Sequence, residues 1–288
     1  MGNGDYMSKP ELIASYWTLA GNVTPFDGME VSPHSFRERV EAAARAGYTG
    51  IGSNHADLMQ SIARHGYPGI KAILTDNGMK FFEIEALLDW HTDGERRRQS
   101  DVVRRDMLEA AEKLGAYQIK IVGDLLGNSP VAAMAEPYRR LCAEAASAGT
   151  RVSLEILPFT NIKDVTDGLS VVGDATIKNG GLLLDLWHMV RGRVPLGDIA
   201  KIPLQFLAAV ELDDGPLDVV EPLLEESINR RQLCGEGEFD VVAFLGSVDR
   251  TGFRGPFGVE ILSHENRARS LQDAARATCH STLQQFRH

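Results

Sequence analysis

Short β-rich runs recur eight times along this chain, alternating with longer stretches of helical periodicity. The strand-like runs are Leu12 to Tyr16, Gly50 to Ser53, Lys80 to Ala86, Gln118 to Val122, Val152 to Leu157, Gly181 to Leu186, Phe206 to Leu212 and Phe257 to Leu262. Between them lie helical patterns such as SFRERVEAAARAG, GERRRQSDVVRRDMLEAAEKLG and PYRRLCAEAASAG. Gly47, Gly115 and Gly149 stand where a helix is closed by a left-handed glycine. Eight β-α units in 288 residues fit a closed (β/α)8 barrel, an α/β fold of about 250 residues, better than an open doubly wound sheet. One domain over residues 1–288 is the expectation, because no Pro/Ser-rich linker or shift in composition marks a boundary.

Such a barrel builds its site from the C-terminal ends of its strands. Four of those ends carry a carboxylate within an otherwise apolar run: Glu155 in RVSLEILP, Asp185 in GLLLDLWHM, Glu211 in LAAVELDDG and Glu260 in GPFGVEILS. Their spacings of 30, 26 and 49 residues are one or two β-α units each, so a barrel brings all four to one rim. Burying a carboxylate is costly unless something satisfies its charge, and a divalent cation satisfies several at once. One such Glu is as often half of a structural ion pair; four, on parallel strands that are normally apolar throughout, point to a metal.

Other strand ends are polar as well. Strand two runs into Asn54, His55 and Asp57, strand three carries Glu83 and Glu85 toward Trp90 and His91, and strand four carries Lys120 and ends at Asp124. His55 and Asp57 line the mouth or start the next helix, Asp being a common cap, and Glu85, His91 and Lys120 are placed to pair with one another. In DLWHM, His188 follows Asp185 by three residues, so both can face the barrel axis, one toward a metal and the other toward a substrate oxygen. Trp187 and Asp213 join His188 and His55 as the expected substrate-binding set. Their alternatives are core packing for the tryptophan, as for Trp17 and Trp90, and an ordinary DDG turn for Asp213 and Asp214.

Charge and composition exclude several classes. A net charge of −10 with pI near 5.3 leaves no basic stripe for a nucleic-acid partner. Neither GxGxxG after the first strand nor GxxxxGK[ST] occurs, so nucleotide readings lack a phosphate loop. No apolar run of membrane-spanning length appears, and Met1 to Pro10 is polar without a signal-type core, so the expectation is a cytoplasmic protein without a membrane partner. Cys142, Cys234 and Cys279, odd in number and without metal-type spacing, read as free thiols. The stretch from Glu265 to Arg287 reads as an amphipathic closing helix.

Taken in order, SLEIL, DLWHM, the GEGEFD segment (Gly235 to Asp240) and GVEIL resemble the xylose-isomerase-like TIM barrels. That family includes ketose epimerases, hydroxypyruvate isomerase, inosose dehydratase and the endonuclease IV branch. The resemblance spans nearly the whole barrel. It implies one divalent metal on Glu155, Asp185 and Glu260, with the two Glu residues also moving the proton as catalytic acid and base and His188 holding the substrate. At strand seven, where many relatives have a ligand His, this chain has Glu211. As a fourth ligand a carboxylate makes the site harder and more anionic, favouring Mn²⁺ or Mg²⁺ over Zn²⁺. Four carboxylates around one dication then require a protonated member or a nearby cation.

The expected substrate is a small sugar, polyol or hydroxy-keto compound. It is expected to be unphosphorylated, since the loop after strand seven reads DDGPLDVVEPLLEE and only Arg191, Arg193 and Arg230 stand nearby. Metal-assisted removal of a proton beside a carbonyl gives isomerisation or epimerisation if the proton returns elsewhere. Loss of a β-hydroxyl instead gives dehydration, of the inosose or dehydroshikimate type. Isomerisation is the first expectation and dehydration the second; a non-catalytic binding barrel and a nuclease are the more distant readings. A homo-oligomer is compatible with the sequence, which does not fix the assembly.

Overall fold

In the computed structural model, which describes residues 10–28 and 30–287, the eight β-rich runs pair in chain order into a closed parallel barrel. The strands are β1 (Leu12–Ala14), β2 (Gly50–Asn54), β3 (Phe81–Leu87), β4 (Gln118–Val122), β5 (Arg151–Glu155), β6 (Gly180–Asp185), β7 (Leu207–Leu212) and β8 (Phe257–Val259). All but the Pro10 end of the polar Met1 to Pro10 segment lies outside the described residues. No helix among the described residues is long and apolar enough to cross a membrane.

The helices start and stop where local chemistry dictates. Ser35 caps Phe36–Ala46 through a reciprocal box with Glu38, and Gly47 closes it at φ +109°. Gly115, at φ +73°, closes Gly94–Leu114 in the same way. The expected single C-terminal helix is interrupted: His264–Arg267 is a short turn, and Ser270 caps a new helix, Leu271–Gln284. That last helix is tied to the start of β2 by a 2.8 Å bond between Thr278 Oγ1 and Tyr48 Oη. Cys142, Cys234 and Cys279 are buried and form no disulfide.

Of the strands, β1 and β8 fall furthest short of the runs in the sequence. Beyond Ala14 the chain turns into the helix Tyr16–Leu19, and Glu260 lies one residue past β8. Both ends remain anchored, since Ser15 N donates to Val259 O and Glu260 N to Leu212 O, each at 3.1 Å.

Strand alternation then separates the barrel's two faces. Phe82, Ile84, Ile119, Ile121, Val152, Leu154, Leu182 and Leu184 join the apolar layer under the helices. The residues between them face the interior, where Val, Ile and Leu would ordinarily fill the space. Here those positions carry Glu83, Glu85, Gln118, Lys120, Ser153, Glu155, Asp185 and Glu211, all buried. Interior glycines make the room: a Cβ on Gly52 would lie 3.0 Å from Glu85 Oε1, and one on Gly258 2.7 Å from both Cγ and Oε1 of Glu211. Gly258→Ala therefore forces Glu211 to move inside a closed sheet, and should cost about 1–3 kcal/mol. Equilibrium urea unfolding is the measurement, and an unchanged midpoint would show that Glu211 has space to yield.

Candidate metal centre and active site

Two buried cations organise the interior. Lys120 Nζ lies 2.9 Å from Glu83, 3.0 Å from Glu85 and 2.5 Å from Glu211, with Ser15 Oγ at 3.2 Å. Burial opposes its charge, but Glu211, Glu83, Glu85 and Glu260 outweigh that and hold the ammonium well above its usual range. Nearer the mouth, Arg231 Nη1 stands 2.7 Å from both Asp185 and Asp213 and 3.0 Å from Glu260 Oε2. Its Nη2 meets His188 Nε2 at 3.2 Å and donates to Ser227 Oγ at 3.1 Å, while Nε donates to Ser227 O.

Arg230 is expected as a nearby cation, but its neighbour Arg231 is the one that lines the cavity. Arg231 is turned inward because its backbone N–H donates to Leu262 O, beyond β8, at 3.1 Å. No local pattern in NRRQLCGEG marks it. The signal in the sequence is electrostatic: the four carboxylates need compensation, and Lys120 and Arg231 supply it.

Glu155, Asp185, Glu211 and Glu260 come together as expected, each presenting an oxygen within 4.8 Å of the others. Glu155 Oε1 and Glu211 Oε2 are buried and accept no hydrogen bond. Orphaned carboxylate oxygens at one point are costly. Among the described residues, seven buried carboxylates (Glu83, Glu85, Glu155, Asp185, Glu211, Asp213 and Glu260) share two Arg or Lys side chains, Lys120 and Arg231, with His188 beside Glu155. The donor set therefore fits a divalent cation, for which hard carboxylate oxygens are suitable ligands. Glu211 has only half of its carboxylate free for one, since Oε1 accepts from Lys120 Nζ and Ser15 Oγ, each at 2.5 Å.

The electrostatics follow from burial. Without a cation, burial pushes Glu211 up to about 8 against the pull of Lys120. Burial likewise raises Glu260 and Asp213 well above the carboxylate range, helped by Glu211 beside the first and Asp185 beside the second. Asp185 goes the other way: burial raises it, but the charges of Arg231 and His188 prevail and hold it low.

The expected substrate residues divide. His188 opens the helix Leu186–Arg191, where Asp185 Oδ1 caps its N–H at 2.9 Å, and its Nε2 lies 3.3 Å from Glu155 Oε1. It lines the cavity above the carboxylates, as does His55, whose Nε2 is 2.9 Å from Asp106. Trp187 is wholly buried behind this site and outside the cavity lining. Its ring packs under Arg191 and Arg231, with guanidinium carbons 5.3 and 5.7 Å from the ring centroid. Asp213 is likewise buried, engaged by Arg231 rather than exposed to the cavity. Asp214 anchors the GEGEFD segment by accepting from the N–H groups of Gly235, Gly237 and Phe239. His91 and Asp57 also lie off the cavity: Asp57 pairs with Arg39, and His91 sits buried 3.9 Å from Asp124.

A pH dependence follows. With Glu211 raised from its ordinary 4.5 to about 8, the folded state binds an extra proton between those values. Stability present below the unfolded pKa is then lost as pH rises through the folded one. Chelator-treated protein should show a urea midpoint that falls between pH 5 and 8, and Glu211→Gln should flatten that slope. Added Mn²⁺ should restore stability most at pH 8, where it competes with the fewest protons. A flat profile in the metal-free protein would contradict the assignment.

Comparison with known proteins gives the frame for this site. Residues 40–279 match the family model described as xylose isomerase-like TIM barrel. Among curated proteins, a 3-dehydroshikimate dehydratase of Pseudomonas aeruginosa (strain PAO1) is 27% identical over 241 residues, covering 80% of this chain and 37% of that protein. The chain thus spans little more than a third of that relative's length. Among solved structures, a xylose isomerase-like TIM barrel/4-hydroxyphenylpyruvate dioxygenase fusion protein superposes with TM-score 0.82 at 21% identity, covering 95% of this chain and 42% of that one. The IolI protein with a bound zinc atom gives TM-score 0.81 at 17% identity, covering 96% and 97%. The order of strand-end carboxylates, the closed eight-stranded barrel and the family match agree, and the chain belongs to the xylose isomerase-like TIM barrel family.

Proposed function

We propose that this protein is a divalent-metal-dependent lyase that removes water from a β-hydroxy ketone, beginning with removal of a proton beside the carbonyl. Glu155, Asp185, Glu211 and Glu260 would hold one Mn²⁺ or Mg²⁺, the hard cations such a carboxylate set favours. Such a cation polarises a carbonyl and acidifies the neighbouring C–H.

The observation that carries the reading is an asymmetry between the two expected acid/base residues. Glu155 forms no ion pair with Lys120 or Arg231 and stands beside His188, whereas Glu260 Oε2 is held 3.0 Å from Arg231. An epimerisation needs two comparable groups on opposite faces of one carbon. An elimination needs one base and a route for its proton to the leaving oxygen. Glu155 takes the proton and returns it to the departing β-hydroxyl, and water leaves as the new C=C bond forms, with His188 beside the carboxylate to hold the substrate oxygen. Arg231 fixes the imidazole by donating from Nη2 to the same Nε2 that lies beside Glu155. The curated relative's name adds weight to dehydration over isomerisation, the first expectation from the sequence. His55 completes the cavity wall.

Extensively purified protein loaded with Mn²⁺ should retain about one ion per chain. A panel of β-hydroxy ketones and ketoses in D₂O decides the chemistry: dehydration should proceed with solvent exchange beside the carbonyl and formation of an enone absorbance. Glu155→Gln should lower kcat by about 10²-fold or more, the scale of a lost positioned base. Interconversion of ketoses without water loss would instead support an epimerase, and turnover unchanged after metal removal would end the reading.

A further inference from the structure

The cavity over the carboxylate cluster has a charged floor and apolar walls. Trp17, Phe26, Leu125, Phe159, Leu224 and Leu262 are among the residues that line its sides and mouth. The polar groups in those walls are already engaged. Asn54 caps the helix His55–Asp76 through Asp57 N at 2.9 Å and donates to Glu30 O, and His55 is bonded to Asp106. Ser227 accepts from Arg231, and Glu30 Oε1 accepts from Phe26 N at 2.8 Å. Glu155 Oε1 and His188 Nδ1, at the carboxylate end, are without a hydrogen-bond partner, so a polyol would bring its remaining hydroxyls against walls that are mostly apolar, leaving them desolvated and unpaired.

The same survey bears on charge. Among the described residues lining the cavity, Arg231 is the only Arg or Lys. Its guanidinium is spoken for: Nη1 by Asp185, Asp213 and the Glu260 backbone carbonyl, Nη2 by His188 and Ser227, and Nε by Ser227 O. Four lining residues, Glu30, Glu85, Glu155 and Glu260, are acidic. An anionic group reaching the walls would meet like charge and apolar surface, with no unengaged Arg or Lys among the described lining residues to replace its hydration.

We infer that the substrate is an electrically neutral hydroxy-ketone with its reacting oxygens at one end and an apolar portion filling the mouth, in place of a polyol, a phosphate ester or a carboxylate. This rests on the lyase reading for the reaction, but its recognition part is separable. 3-Dehydroshikimate, a hydroxylated cyclohexenone bearing a carboxylate, and its methyl ester form a pair that differs at that group in charge and one methyl. With the Mn²⁺-loaded protein, calorimetric titration should show the ester binding at least tenfold tighter than the acid, and kcat/KM for water loss should follow the same order. A ketohexose should bind at least tenfold more weakly than the ester. Tighter binding of the acid, or of the ketohexose, overturns the inference even if water is lost. Tighter binding of the ester without water loss from either upholds the neutral pocket and removes the lyase reading instead.

Discussion

An ammonium buried in the middle of a barrel is tolerable only because carboxylates surround it, and the rest of this interior follows from that constraint. Lys120 gathers Glu83, Glu85 and Glu211 from β3 and β7, and glycines at positions 52 and 258 leave the volume these acids occupy. Buried ion pairs of this kind seldom add stability over apolar packing, because desolvation offsets most of their attraction. Their retention at the strand ends instead sets the electrostatics of the neighbouring cavity. One oxygen of Glu211 is tied to Lys120 and the other left free, which gives the site a hard, half-committed donor.

Arg231 extends the same logic toward the mouth. It balances Asp185, Asp213 and Glu260 and at the same time fixes His188. By occupying one oxygen of Glu260 it breaks the equivalence of the two glutamates that the family resemblance suggests as a catalytic pair. Because its N–H groups are consumed inside the site, it also leaves the apolar walls without a cation. A single residue therefore links the arrangement of the donors, the direction of proton movement and the charge a substrate can carry.

Much of the fold was legible in the chain. Eight β-rich runs, capped helices and glycine stops are local signals, and all eight strands lie where those signals put them, with ends shifted by up to three residues. The shifts have tertiary causes: Tyr16 leaves β1 to begin a helix, and Glu260 is held beyond β8 by a bond to Leu212 O. The convergence of Glu155, Asp185, Glu211 and Glu260 was legible too, because a charge inside a buried strand must be answered by another charge.

What the sequence by itself determined is therefore the barrel, the rim of four carboxylates and His188 beside them, all of which depend on strand period and unit spacing. Only the tertiary structure decided which charges answer which. Lys120 read as one strand-end charge among several, Arg231 was indistinguishable from Arg230, and Trp187 and Asp213, expected to bind substrate, lie buried behind the site. Pairing across a barrel joins residues far apart in sequence, such as Ser15 and Glu211, which are 196 positions apart. The direction of each side chain there is fixed by closure of the sheet and by contacts such as Arg231 N to Leu262 O, which leave no local trace in the sequence.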